Sequence, residues 1–254
     1  MVAMPAPWAP DVCAAAFTPT KPSQSRCNGS TPRESWTCAR VAGVISVAAM
    51  LRGIDVSNWQ GAVDWDHHAD NGVSFAFAKA TEGSTFTDKW FGRNWTGMRE
   101  SWMVCGAYHF ARPAGDPETQ AGHFLRAVQQ AGGMRRGDLL ALDLETNDHL
   151  PARRVAGFAR RWCQAVVDQA GVRPVIYTFL TFALNGNCAG LEGYPLWIAA
   201  PDDPRGRPDV PGPWDRWTIH QHSHIPVDRN VFRGTRADLT SLGYRRRRSV
   251  RDIL

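Results

Sequence analysis

Between residues 51 and 232, short apolar runs alternate with stretches in which apolar positions recur every three or four residues. The runs at 51–56, 74–80, 103–110, 139–145, 173–178, 195–199, 216–221 and 227–232 have the length and composition of buried strands. The intervening stretches predict helices. Asp116-Pro117 sets a capping side chain ahead of a proline at the first helical position. Ala121, Phe124, Leu125 and Val128 then share one face, and Gly132-Gly133 stops the helix. Pro151 opens another, with Val155, Phe158, Ala159, Trp162, Ala165 and Val166 on one face and Gly171 at its end. After the fifth strand the connections turn loop-like, with Gly, Pro and Asp clustered around 201–215. This alternation is the pattern of parallel α/β architecture. The expected fold is an incomplete, TIM-like (β/α)5(β)3 barrel, a single domain spanning 51–244.

The flanks read differently. Residues 1–50 are rich in Pro, Ser, Thr and Ala without a sustained period, which predicts a low-structure leader. Its apolar stretch, Val41 to Leu51, begins far from the N-terminus rather than behind a short basic region, so no secretory signal is recognised. Met50 stands directly before the first strand and is an alternative start; a plug across the barrel bottom is the other role open to 41–51. Residues 245–254 form a basic tail. No apolar run approaches the ~20 residues of a membrane-spanning helix, so no membrane partner is expected.

Charge changes the picture only by its location. The net +5 is concentrated in the two flanks, led by the Arg245–Arg248 run, and residues 51–244 are close to neutral. A nucleic-acid partner would call for a basic folded surface, and none is expected; the arginine tail suits attraction to anionic cell walls. Cys13, Cys27 and Cys38 lie in the leader, while Cys105, Cys163 and Cys188 lack metal-ligand spacing and read as small buried side chains. A Cys163–Cys188 disulfide has no support in the pattern.

Functional groups of a (β/α) barrel project from one mouth, at the C-terminal strand ends. Reading each strand to its end gives Asp55, Lys79 with Glu82 beyond it, Tyr108 with His109, Asp143 with Glu145, then Tyr177, Trp197, Gln221 and Asp228. Carboxylates recurring among aromatics suit a sugar-cleaving cleft, and apolar packing does not require them. In Leu139–Glu145 side chains alternate, so Leu140, Leu142 and Leu144 face the helices while Ala141, Asp143 and Glu145 face the barrel. Acids two apart on a strand lie ~6.6 Å apart along it. Mutual repulsion is then expected to raise one pKa and keep Glu145 protonated as a general acid. That spacing leaves retaining and inverting glycosidase geometries both open.

Seven stretches then carry a resemblance: GIDVSNWQG at Gly53–Gly61, FAFAKATEG at Phe75–Gly83, GAYHFARP at Gly106–Pro113, ALDLET at Ala141–Thr146, VIYT at Val175–Thr178, LWIA at Leu196–Ala199 and VDRNVF at Val227–Phe232. In this order the chain resembles glycoside hydrolase family 25, the Chalaropsis-type lysozymes. The resemblance implies a muramidase that cleaves the β-1,4 bond from N-acetylmuramic acid to N-acetylglucosamine in bacterial peptidoglycan, acting at the cell wall outside the cell. It implies Glu145 as general acid/base and Asp143 as the acid assisting the substrate acetamido group. It further implies Asp55 and Asp228 as cleft carboxylates and Tyr108, Tyr177 and Trp197 as sugar contacts, with Gln221 among the substrate-binding residues. One departure is Gln221-His222-Ser223, where the family usually has an aromatic after the Gln.

Other features have plainer readings. His220, His222 and His224 alternate as a metal site would, yet they lie opposite the set Trp217, Ile219 and Gln221, so surface histidines are expected, with no metal and no cofactor. Trp59, Trp65, Trp90 and Trp95 are expected to pack, Glu82 either lines the cleft or caps its loop, and Asn28-Gly-Ser matches a glycosylation sequon. The protein is expected to be a monomer. Two rival functions are a chitinase-like N-acetylglucosaminidase, whose DxxDxDxE run is absent, and a catalytically silent wall-binding protein.

Overall fold

The computed structural model describes residues 50–245. The leader up to residue 49, with its sequon, its three cysteines and most of the 41–51 stretch, lies outside the described residues, as does the tail from residue 246. The strands are β1 (Leu51–Val56), β2 (Val73–Glu82), β3 (Phe86–Thr87), β4 (Val104–Phe110), β5 (Leu139–Asp143), β6 (Val175–Phe179), β7 (Leu196–Ala199), β8 (Ile219–Ser223) and β9 (Asp228–Phe232). They form one sheet in the order β1-β9-β8-β7-β6-β5-β4-β2-β3, and a further β1–β2 pairing closes it. Eight strands thus make a closed barrel, with two-residue β3 hairpinned onto the end of β2. Neither β3 nor that hairpin is legible in the periodicity.

One expectation needs correction. β9 runs antiparallel to both β8 and β1, so the sheet is mixed rather than wholly parallel. Asp228 accordingly reaches the mouth from the start of its strand, not the end. Strand direction follows from the short Ser223–Val227 connection, which reverses the chain at the mouth instead of crossing over the barrel.

Helices α1 (Trp65–Asp70), α2 (Phe91–Glu100), α3 (Pro117–Gln130), α4 (Ala152–Ala170) and α5 (Leu180–Phe182, continued by a π turn Ala183–Asn187) pack outside the barrel. Asp116 caps α3 by accepting from the Thr119 amide at 2.8 Å, with Pro117 at the first position. Pro151 precedes α4, and Gly171 ends it in a left-handed conformation, φ 69°. The outward faces of β2 and β4 carry Ala76, Ala78, Ala80, Cys105 and Ala107, small residues that let the helices approach the sheet. Half-buried Arg99 on α2 pairs with Asp138 at 2.6 Å, tying that helix to the start of β5.

Inward positions form a second core of Phe75, Phe77, Val104, Leu139, Ala141, Val175, Trp197, Ile219 and Phe232. Gly53 stands beside Phe75, and Gly106 beside Phe77, in adjacent strands. These glycines leave the room the two rings fill: a Cβ at either would overlap its partner ring. At the barrel bottom a short helix absent from the sequence reading, α6 (Arg236–Ser241), inserts Leu239, with Leu242 beside it. Thr235 and Asp238 form its capping box, and Arg236 donates to the carbonyls of Ser74 and Trp102. Leu239 and Leu242 thereby supply an apolar plug from the opposite end of the chain to the one considered above. Met50 packs, half-buried, against the outer core.

Cys105, Cys163 and Cys188 are buried free thiols, so Cys163 and Cys188 are not bridged. Burial also corrects two histidines. His109 turns outward from β4, hydrogen-bonds Thr81 and Gln120 and stacks on Trp162; burial pulls its pKa down to about 4. His220 is not on the surface. Its Nδ1 accepts from the Gly206 amide at 3.0 Å and its Nε2 lies 2.9 Å from the Ala200 carbonyl, fastening the 200–218 connection to β8. Trp217, just before β8, belongs to the outer core and does not share the inward side of Ile219 and Gln221.

Two glycines test this packing. Gly106→Ala should lower the melting temperature by on the order of 5 °C, because overpacking against Phe77 costs about 1–3 kcal/mol. Gly92→Ala, at an exposed position of α2 where a Cβ meets nothing within 4 Å, should leave it unchanged or slightly raised. Calorimetry on both variants checks the pair, and equal melting would contradict the ring-to-glycine fit.

Candidate active site

Because side chains alternate along each strand, the inward set ends in polar residues at the mouth. Asp55, Lys79, Tyr108, Asp143, Glu145, Tyr177, Trp197, Gln221 and Asp228 line one cavity of about 230 Å³, together with Ser57, Trp59, Gln60 and Phe110. All eight residues singled out from the sequence, the four carboxylates with Tyr108, Tyr177, Trp197 and Gln221, therefore converge. β5 ends at Asp143, and Glu145 lies two residues beyond it, held in line by the Leu144 amide donating to the Tyr177 carbonyl at 2.9 Å. Leu140, Leu142 and Leu144 face the helices, and Leu139 and Ala141 face the barrel.

The four carboxyl groups share a poorly solvated space. Asp55 and Asp228 are register partners across the β1–β9 ladder. Burial, then the charge of Asp228, pushes Asp55 up to about 7, while hydrogen bonds from Asn230 and Gln221 pull the other way. Burial, then Glu145, pushes Asp228 up to about 6. Burial also lifts Asp143 well above the usual carboxylate range, with Glu145 adding and Lys79 opposing. Glu145 is raised by burial as well, against the pull of Lys79. Repulsion between the strand-mates is thus not the leading cause of proton retention; loss of water is. Asp143 Oδ1 is buried without a hydrogen-bond partner among the described residues.

Lys79 is the one cation among the cavity-lining residues, and its ammonium lies 2.7 Å from Glu82. Glu82 does not line the cavity. It pairs with Lys79 and, at 2.6 Å, with Arg112. Burial works to raise its pKa, but these cations more than offset that and hold it low. Arg112 also reaches Asp148 at 3.3 Å, and Asp148 accepts from the Ala114 amide at 3.2 Å. This chain of charges pins the loop that follows Glu145, where Asp148 and His149 both adopt positive φ.

Trp59 corrects the packing expectation. It is 83% exposed at the cavity rim, whereas Trp65 and Trp95 are buried and Trp90 is half-buried. Composition alone cannot separate a rim tryptophan from a core one, and only its place in the turn after β1 distinguishes it. Asn230, two residues beyond Asp228, was also missed; it bonds both Asp55 and Trp197. His222 is not among the cavity-lining residues, so the departure after Gln221 leaves the cavity wall intact. Among the described residues no cluster of three His, Cys, Asp or Glu side chains could hold a metal ion, and no helix is long and apolar enough to cross a membrane.

The raised carboxyl groups make stability depend on pH. With folded values above the unfolded ones, the folded protein binds more protons between about pH 4 and 7, so stability falls as pH rises through that window. Asp55→Asn should therefore melt higher than the parent at pH 8, by on the order of 5 °C, and gain nothing at pH 4. Melting curves at the two pH values check the sign, and a gain confined to pH 4 would contradict it.

Residues 54–231 match Glycosyl hydrolases family 25. The chain is 37% identical to the Escherichia coli (strain K12) protein YegX over 210 residues, 77% of this chain and 74% of that one. It is 32% identical to Lysozyme M1 of Streptomyces globisporus over 213 residues, 76% of this chain and 71% of the other. Its fold superposes on the crystal structure of the bacterial lysozyme from Streptomyces coelicolor with a TM-score of 0.69 at 31% identity, covering 76% of this chain and 96% of that one. With the carboxylate-lined mouth and these matches together, the chain belongs to glycosyl hydrolase family 25 and is a peptidoglycan-hydrolysing glycoside hydrolase, a muramidase.

Proposed function

We propose that the mouth cleaves the β-1,4 bond between N-acetylmuramic acid and N-acetylglucosamine, with Glu145 as general acid/base and Asp143 assisting the substrate acetamido group. The observation that carries this reading is the buried Asp143 Oδ1, unpartnered among the described residues, beside Glu145, whose pKa burial raises. A carboxylate oxygen without a donor in the free protein is free to accept the acetamido N–H. That bond orients the acetamido oxygen toward the anomeric carbon, while Glu145 gives its proton to the leaving oxygen and then takes one from water. Substrate N–H donation also favours ionised Asp143, the form such assistance requires.

Asp55, Asp228 and Gln221 shape the cleft floor, and Tyr108, Tyr177, Trp197 and rim-exposed Trp59 supply aromatic surface to sugar rings. In this reading the sheet is the incomplete (β/α)5(β)3 barrel, 51–244 is the whole catalytic domain, and the monomer acts outside the membrane on the wall. No cofactor takes part.

Glu145→Gln should lower turnover of purified peptidoglycan by at least ~100-fold with little change in melting, since glutamine keeps the shape without the proton. Substantial residual hydrolysis by a normally folded variant would remove Glu145 from this role. The acetamido step makes a separate claim: two displacements at one carbon release the new reducing end first as its β anomer. NMR of the initial product checks this, and an α anomer would exclude Asp143 assistance while leaving the hydrolase assignment untouched. A chain starting at Met50 should hydrolyse wall about as well as the full chain, because every strand among the described residues lies downstream. An insoluble product would show that the first 49 residues contribute to folding.

A further inference from the structure

Beneath the reacting carboxylates lies a set of hydrogen bonds that the proposed chemistry does not use. Trp197 Nε1 donates to Asn230 Oδ1 at 2.7 Å. Asn230 Nδ2 donates to Asp55 Oδ2 at 2.7 Å. Gln221 Nε2 donates to the same Asp55 oxygen at 2.9 Å, and Tyr177 donates its hydroxyl to Gln221 Oε1 at 3.0 Å. Asn230 is 1% exposed.

The donor and acceptor inventory makes this set directional. An indole N–H can only donate, so the oxygen of the Asn230 amide must face Trp197 and its NH2 group must face Asp55. Two N–H groups then converge on one carboxylate oxygen, which must accept from both. A proton on that oxygen would leave a buried donor facing another, which disfavours it relative to a proton on Oδ1.

We propose that Asn230 is a positioning residue: locked by Trp197, it holds Asp55 Oδ2 as a permanent acceptor and confines any proton on Asp55 to Oδ1. Asp55 therefore has one fixed oxygen and one working oxygen. The groups around it do not duplicate this hold. Asp228 from β9, Asp143 from β5 and Glu145 just beyond it offer further negative charge. Lys79 on β2 is engaged by Glu82, the Tyr177 hydroxyl on β6 is spent on Gln221, and Tyr108 on β4 hydrogen-bonds neither Asp55 oxygen among the described residues. Only Gln221 shares the task. The idea rests on the mouth being the hydrolytic centre for its effect on turnover, and not for its effect on Asp55.

The experiment replaces Asn230 with Ala and, separately, with near-isosteric Leu, and follows the Asp55 carboxyl by carbon-13 NMR in aspartate-labelled protein. Its resonance is identified by its absence from Asp55→Asn. With one donor to the ionised form removed, the Asp55 titration midpoint should rise by about one pH unit or more, and peptidoglycan turnover should fall ~10-fold or more with KM little changed. A merely structural Asn230 would lower the melting temperature and leave the midpoint where it was; that result in either folded variant overturns the proposal. A raised midpoint with unaltered turnover would uphold the hold on Asp55 and count instead against the mouth as the hydrolytic centre.

Discussion

The parallel ladder from β1 to β2, together with the antiparallel one from β9 to β1, turns an open sheet into a closed ring. In a ring every inward side chain must share one narrow interior. Below, the space is filled by phenylalanine against glycine, by Trp197 and by the Leu239 plug. Above, the same inward positions on all eight barrel strands become carboxyl, hydroxyl, amide and ammonium groups with the indole of Trp197 among them. The apolar packing and the polar mouth are one periodic arrangement cut at different heights.

That arrangement concentrates like charge, and the protein offsets only part of the cost. Asp55 receives two amide donors and Lys79 supplies a cation nearby, yet Asp143 keeps an unpaired oxygen. A mouth optimised for stability would have neutralised that group. Loss of water, rather than a paired charge, is what governs that group, and it lifts the Asp143 carboxyl well above the usual carboxylate range. The Arg112 contacts to Glu82 and Asp148 hold the flanking loops around this uncomfortable centre and carry their own charge balance outside it.

Much of this was legible from alternation alone. The LLALD run of β5 placed Leu140 and Leu142 on one side and Asp143 on the other, and the caps of α3 and α4 fell where Asp116 and Gly171 announced them. What escaped was decided by partners distant in sequence. The direction of β9 depends on where the chain turns at Ser223–Val227, and α6 has a single buried residue, too few to make a period. In a linear reading His109 falls at a strand end and His220 reads as a surface histidine, and only the helix and the connection they bond identify them as packing groups. Asn230 falls in the same class: an amide in an alternating strand is silent until Trp197 and Asp55 are beside it.

The bonds from Gln221 and Asn230 to Asp55 join residues 166 and 175 positions apart. Contacts of such long sequence separation form late, because the intervening chain must be ordered first. On a ribosome, β1 emerges early and waits for β8 and β9 before the ring can shut around Asp55. A half-made chain thus presents Asp143 and Glu145 on an unclosed sheet, open to water and without the burial that raises their pKa values. The site is therefore complete only once nearly the whole barrel has been synthesised.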